Sequence, residues 1–164
     1  MQSESAVEIE VLVLRASGAE VGYRTMRGRL QEGEDPDAGA LRIVGTSAPE
    51  LCHSTSWRFE RPGTVVLSYA VLPDPQPGEP ALPLRSPSVV CSGDPGRPTP
   101  PVLHAHHVVA HAVRHLAYLA EHDPAIAAVA TGPLWSTIRA VAERMPTGTH
   151  PEVHRRAAPA ADRR

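Results

Sequence analysis

Residues 102–123, with the sequence VLHAHHVVAHAVRHLAYLAEHD, carry six of the nine histidines of the 164-residue chain. Apolar residues recur here at spacings of three and four, so the sequence predicts a long helix with one buried face. At about 100° per residue, five of the histidines share a stripe about 80° wide, and these are His104, His107, His111, His115 and His122. The stripe borders the buried face of the helix, which is where a functional site can form.

Histidines four residues apart on a helix can bind one metal ion, because their side chains lie one above the other. We therefore predict metal ligands among His107, His111 and His115. A single ion needs further ligands, for which Cys52 and His53 are candidates, and Zn, Fe or Cu would suit such a set. Two alternatives stay open: metal-free acid–base catalysis, with His53, His111 and His115 as catalytic candidates, and a purely structural stripe.

The N-terminal half favours strands. Residues 7–14 alternate apolar and acidic side chains, and residues 21–30 are typical of an exposed strand. Residues 32–39 predict a turn, and residues 41–44 a short strand. The clearest signal is residues 52–72, a predicted β-hairpin in the middle of a sheet with Arg61-Pro62-Gly63 in its loop.

Alternation along the first strand of this hairpin predicts which side chains the helix covers. We expect one face to carry His53, Thr55, Trp57 and Phe59, and the opposite face to carry Ser54, Ser56, Arg58 and Glu60. Trp57, Phe59 and Tyr69 are expected in the core. Arginines of the strands either are solvated or bind an anionic substrate, and these are Arg24, Arg27, Arg29 and Arg58.

Residues 73–101 hold more than half of the 18 prolines, and we expect this connection to form the rim or lid of the site. A regular element fits only at residues 88–91, where Cys91 is a candidate thiol nucleophile. Thr99-Pro100 predicts the start of the long helix.

Two further helices are predicted at residues 125–130 and 133–145. Trp135 on the last helix is expected in the core, with a role as an anchor for a partner as the alternative. We expect residues 1–146 to form a single globular domain and residues 147–164 to form a flexible tail.

Composition excludes several classes of function. A net charge of -2 gives no electrostatic reason to expect nucleic acid or a membrane as a partner. All 16 basic residues are arginine, which excludes Schiff-base lysines and is typical of a GC-rich bacterial gene. The N-terminus does not resemble a secretory signal, so we expect a cytoplasmic protein with free thiols at Cys52 and Cys91.

These patterns together predict an α+β fold, with an antiparallel sheet from the N-terminal half and the C-terminal helices packed on one face. The predicted function is that of a small cytoplasmic enzyme acting on a small-molecule ligand. Its histidine-lined site, with a metal as one alternative, is expected between helix 102–122 and hairpin 52–72. The other hypothesis is a non-catalytic accessory or binding module with a structural or pH-sensing stripe, which binds a protein partner or a second copy of itself.

Overall fold

The computed structural model describes residues 6–146, so the predicted tail at residues 147–164 lies outside the described residues. Five strands and four helices follow one another along the chain: β1 Ala6–Ser17, β2 Glu20–Arg29, α1 Pro36–Val44, β3 Leu51–Glu60, β4 Thr64–Leu72, β5 Leu82–Pro83, α2 Ala105–His122, α3 Pro124–Val129 and α4 Gly132–Arg144. The strands form one sheet and the C-terminal half is helical, which confirms the predicted α+β class. Between residues 6 and 146, no helix is long and apolar enough to cross a bilayer.

The sheet is mixed, whereas the sequence predicted an antiparallel sheet. Its strand order is β3-β4-β1-β2-β5, and β1 pairs with β4 in parallel while the other neighbours are antiparallel. The difference arises because the chain crosses the sheet between β2 and β3, and α1 packs on the sheet during this crossing. The β3–β4 hairpin then returns beside β1, so β4 is an inner strand and β3 an edge strand.

Helices cover both faces of the sheet. On one face, Leu12 and Leu14 of β1 join a core with residues of α2, α3 and α4, as predicted for the C-terminal helices. On the other face, Ile9, Val11 and Val13 pack against α1. Alternate residues of β1 therefore serve two separate cores, which is why this strand is apolar on both sides toward its end.

Helix α1 corrects the sequence interpretation, which placed a turn at residues 32–39 and a strand at 41–44. The side chain of Asp35 accepts hydrogen bonds from the backbone of Asp37 and Ala38, and Pro36 occupies the first turn. Gly45, with φ 76°, ends the helix in the left-handed conformation. The residues interpreted as a turn therefore contain the N-terminal cap and the first turn of a short helix, and the residues interpreted as a strand form its last turn before the cap at Gly45.

A β-bulge in β3 overturns the predicted faces of that strand. Pairing with β4 shifts register between Ser54 and Ser56, so Thr55 has no partner. Beyond the bulge, Ser56 pairs with Ser68 and Arg58 follows on the same face, whereas Trp57 pairs with Leu67, which packs against the α1 core. Trp57 is 70% exposed and Phe59 50% exposed, so their predicted place in the core is wrong. A single extra residue reverses every later side chain, because strands alternate with a period of two.

The Pro-rich connection is fixed to the sheet at its N-terminal end. Asp74 receives hydrogen bonds from Arg24 and Arg15, and Leu84 is buried in the core. The regular element here is β5 and not residues 88–91, because its two residues pair with Gly22 and Tyr23 of β2. Residues 88–104 are irregular and pass between β3 and α2.

Helix α2 begins five residues later than Thr99-Pro100 predicts. Its N-cap is His104, and the imidazole Nδ1 of His107 accepts a hydrogen bond from the backbone N–H of His104 at 3.2 Å. Residues 99–104 are instead irregular, with bends at residues 99, 101 and 102. The predicted apolar face is confirmed, since Val109, Val113 and Leu116 are fully buried.

Candidate functional site

A cavity of about 460 Å³ lies between α2 and β3, and we call it the main cavity. Strand β3 contributes Ser56, Trp57 and Arg58, and α2 contributes His107, Val108 and His111. The connection supplies the remaining wall, with Val89, Val90, Cys91, Pro98, Thr99, Pro100 and Leu103. The lining is largely apolar with a few polar groups, which is the usual composition of small-molecule sites of this size.

Two histidines of the stripe line the main cavity. His107 is half-buried, and burial together with the nearby rings of His106 and His104 lowers its pKa, so the ring is neutral at pH 7. Because its Nδ1 accepts the hydrogen bond from His104, the proton of the neutral ring lies on Nε2. His111 is exposed, one turn further along the helix, at the mouth of the cavity. One ring is therefore set to donate a hydrogen bond, while the other is open to both solvent and cavity.

The stripe continues toward β3 through His115 and His53. The ring centroids of His111 and His115 are 6.4 Å apart, and those of His115 and His53 are 5.7 Å apart. Burial, and then the proximity of His53 and His111, lowers the pKa of His115. We call these three residues the imidazole row. His111 and His115 also line a second cavity of about 300 Å³ that shares Val89 and His111 with the main one.

The predicted metal ligands come together only in part. His53, His111 and His115 form the row, whereas His107 lies in the main cavity. Within residues 6–146, no group of three or more His, Cys, Asp or Glu side chains has the geometry to hold a metal ion. Cys52 was a candidate ligand beside His53, but it packs on the opposite face of the sheet with the α1 core. Burial there, reinforced by Asp37, raises the pKa of its thiol to about 11.

In the wall of the main cavity, Arg58 forms a compact network with two other nearly buried groups, Glu10 and Ser68. Its Nη1 and Nη2 donate to the carboxylate of Glu10 at 2.6 and 3.1 Å, and Nη1 also donates to the Ser68 hydroxyl at 3.2 Å. Ser68 in turn donates to Glu10 at 3.1 Å. The side chains of Arg58 and Glu10 are each 11% exposed. Arg58 is therefore held by a countercharge and is not a solvated surface residue.

Two of the other arginines considered for anion binding, Arg24 and Arg27, are also engaged, whereas Arg29 is exposed. Arg24 pairs with Asp74, and Arg27 pairs with both Glu8 and Glu60. Glu60 joins the two networks because it also accepts from Nε of Arg58 at 2.8 Å. These ion pairs leave no argument for an anionic substrate at Arg24 or Arg27.

The two tryptophans lie in opposite environments, one buried and one exposed. Trp135 is fully buried in the core beneath the helices, which confirms the core interpretation and corrects its alternative as an exposed anchor. Trp57 and Phe59, expected in the core, form an exposed aromatic pair on the edge strand.

Several residues of the site were missed from the sequence. Ser56 and Arg58 were assigned to the wrong face because the bulge at Thr55 leaves no local signal. Glu10 looked like the solvent-facing residue of an alternating strand, and only its place opposite Ser68 on β4 reveals its partner. The apolar pattern of residues 102–123 could have identified Leu103 and Val108 as lining residues. The Pro-rich connection was expected to form the rim of the site.

Comparison of the chain with models of known protein families and with curated proteins gives no match in either case. The function is therefore argued from the geometry of this site.

Proposed function

We propose that this protein is a small enzyme that binds an organic molecule in the main cavity. His107 holds a polar group of that molecule through its Nε2–H, and His111 accepts or returns a proton. The observation that carries the proposal is the pairing of two imidazoles with a largely apolar cavity of about 460 Å³. His53 and His115 lie behind His111 in the imidazole row, where they orient it or take part in the same proton transfer.

The chemistry of histidine supports this assignment. Imidazole changes its charge near neutral pH, so it transfers protons more readily than any other side chain under cellular conditions. His111 can exchange its proton with solvent because it is exposed at the mouth, while the apolar wall of the cavity orients the rest of the substrate.

Binding is tested by NMR on protein labelled with ¹³C in its histidine rings. Added 4-methylphenol, an apolar ring with one hydroxyl, should shift the signals of His107 and His111. The signal of His122, an exposed histidine on the same helix whose ring bonds the Tyr118 carbonyl, should stay in place. Equal shifts at all three rings would mean that the probe binds without a specific site.

Catalysis is tested with 4-nitrophenyl acetate, an ester that imidazole cleaves. We expect hydrolysis to saturate with ester concentration and to fall about tenfold or more in His111→Gln, within the usual contribution of an acid–base group. His122→Gln is the matched control and should retain the rate. A linear dependence on ester, or equal losses in both variants, would contradict the enzymatic assignment.

A metal-bound form of the site is a separate proposal. It is supported by the imidazole row, in which three rings lie in succession between α2 and β3. Their present arrangement does not converge on one point, so binding would require at least one ring to rotate. Elemental analysis of protein purified without an affinity tag should find stoichiometric Zn, Fe or Cu that is lost in His111→Ala. Less than about 0.1 equivalent of any of them would contradict it, because structural sites bind far more tightly.

One observation favours the alternative of a binding module. Trp57 and Phe59 are exposed side by side on an edge strand, and exposed aromatic side chains are common at protein interfaces. A partner that docks there, or a second copy of the chain, should be lost in Phe59→Ser, because Phe59 does not line the main cavity whereas Trp57 does. Sedimentation of the purified protein tests the second copy, since a dimer should become a monomer in that variant.

A further inference from the structure

Among the described residues, Arg58 is the permanently charged side chain in the wall of the main cavity. An unpaired guanidinium in an apolar cavity would bind carboxylates or phosphates through its planar fork of N–H groups. The partners of Arg58 therefore decide which ligands the cavity accepts.

Those partners use most of its hydrogen-bonding capacity. A guanidinium has five N–H donors, and Glu10, Ser68 and Glu60 accept four hydrogen bonds from it. Glu10 carries the countercharge at 2.6 Å, and both side chains are 11% exposed. Arg58 retains one N–H for a ligand but no uncompensated charge.

We infer that Glu10 is a specificity-determining residue, which neutralises Arg58 and so makes the main cavity select uncharged, mainly apolar ligands. The inference rests on the proposed function, because it concerns the ligand of the same cavity. It names a role for a residue that does not itself line the cavity and acts through Arg58.

The energetic reason is the cost of removing a charge from water. An anion entering the cavity would meet an arginine already neutralised by Glu10, and would have to displace that carboxylate to gain a full ion pair. An ammonium group would find Glu10 already accepting from Arg58 and Ser68. Glu8 and Glu60 are bonded to Arg27 with side chains 24% and 37% exposed, so water screens their charge.

The groups that remain suit a neutral polar substituent. Ser56 and Thr99 offer hydroxyls, His107 offers an N–H, and Arg58 offers its last donor. A hydroxyl or carbonyl on an apolar body can use these groups, while Val89, Leu103 and Val108 cover the rest of the ligand. The expected ligand class is therefore an apolar alcohol, phenol, ketone or amide.

Three probes of the same shape test the inference: 4-methylphenol, 4-methylbenzoate and 4-methylbenzylammonium. Each is titrated at about pH 7.5, where unperturbed histidine is neutral, with the ring signals of His107 and His111 as the readout of the site. The neutral phenol should bind at least about tenfold more tightly than either ion, which corresponds to about 1.4 kcal/mol.

The variant Glu10→Gln removes the countercharge and keeps the shape of the side chain. It should reverse the ranking, so that 4-methylbenzoate binds more tightly than 4-methylphenol. Glu34→Gln is the matched control, because Glu34 pairs with Arg42 away from the cavity, and it should retain the wild-type ranking. If Glu10→Gln does not fold, Glu60→Gln removes the more exposed carboxylate on Nε of Arg58 and should shift the ranking in the same direction, by a smaller factor.

The outcomes separate the two proposals. Tighter binding of either ion to the wild-type protein, or an unchanged ranking in a folded Glu10→Gln, would overturn the role of Glu10 and leave the small-molecule site intact. If none of the three probes shifts the signals of His107 and His111, the proposed binding site is wrong, and the inference fails with it.

Discussion

Replacing Arg58 with methionine should destabilise the protein by about 3 kcal/mol at neutral pH, because it leaves the buried carboxylate of Glu10 without its countercharge. Arg58 gives Glu10 two hydrogen bonds, at 2.6 and 3.1 Å, and only the bond from Ser68 would remain. Removing one partner of a buried ion pair typically costs about 3–5 kcal/mol. The 11% exposure of Glu10 favours the lower end of that range, because water can reach one edge of the carboxylate.

Urea unfolding followed by circular dichroism measures this cost. A triple variant with Glu10→Leu, Ser68→Ala and Arg58→Met supplies the control, because it removes every polar member of the cluster and leaves no buried group unpaired. It should recover most of the lost free energy of unfolding, since an apolar cluster of similar volume often replaces a buried ion pair without loss. If Arg58→Met costs less than about 1 kcal/mol, the level of an exposed ion pair, the pair is not desolvated and the reasoning about charge in the cavity is wrong.

Three other perturbations have defined outcomes. Since the pKa of His115 is lowered by burial, and then by His53 and His111, the unfolded chain binds a proton more readily than the folded one. The free energy of unfolding should therefore fall as the pH drops below about 6.5, and His115→Gln should flatten that dependence in urea titrations. Trp135→Ala should lower the free energy of unfolding by about 3–5 kcal/mol, because it leaves a cavity in the core. Trp135→Phe should cost much less, because the Nε1–H of Trp135 has no hydrogen-bond partner within residues 6–146 that the change would remove. Thermal unfolding distinguishes the two variants. Burial is the largest single influence on the pKa of Asp74 and would raise it, but the hydrogen bonds from Arg24 and the backbone of Gln76, with the charges of Arg24 and Arg15, together lower it. Asp74 therefore contributes stability above the ordinary carboxyl pKa of about 3.9 that is lost as the pH falls through its lowered value, so Asp74→Asn should lower the melting temperature at neutral pH and much less in acid.

The elements with strong periodic patterns could be predicted from the sequence. The apolar stripe of α2 and the two arms of the β3–β4 hairpin follow from side-chain spacing, which reflects burial on one face. Helix α1 could not be recognised in the same way, because it is nine residues long and its capping residues resemble a turn. Helix α1 packs against Ile9 and Val11 of β1, and this contact between distant residues cannot be read from the local sequence.

The position of the main cavity and its two histidines were predictable, but Arg58 and its partners were not. The expectation that α2, the hairpin and the Pro-rich connection would meet matches the lining of the main cavity. Arg58 was assigned away from it because the bulge at Thr55 depends on pairing with β4. The partnership of Glu10 and Arg58 joins residues 48 positions apart through a strand order that the sequence pattern does not reveal.

The prolines of the connection have a physical link to the chemistry of the cavity. Irregular backbone in an apolar wall carries N–H groups that need partners, and each unpaired one opposes burial. Proline has no N–H, so Pro98 and Pro100 cover the cavity without adding donors. Their fixed φ also reduces the entropy that the chain loses when this connection is ordered. The unusual composition of the connection and the largely apolar wall of the site are thus two consequences of one requirement, an irregular segment that closes a cavity with few unsatisfied polar groups.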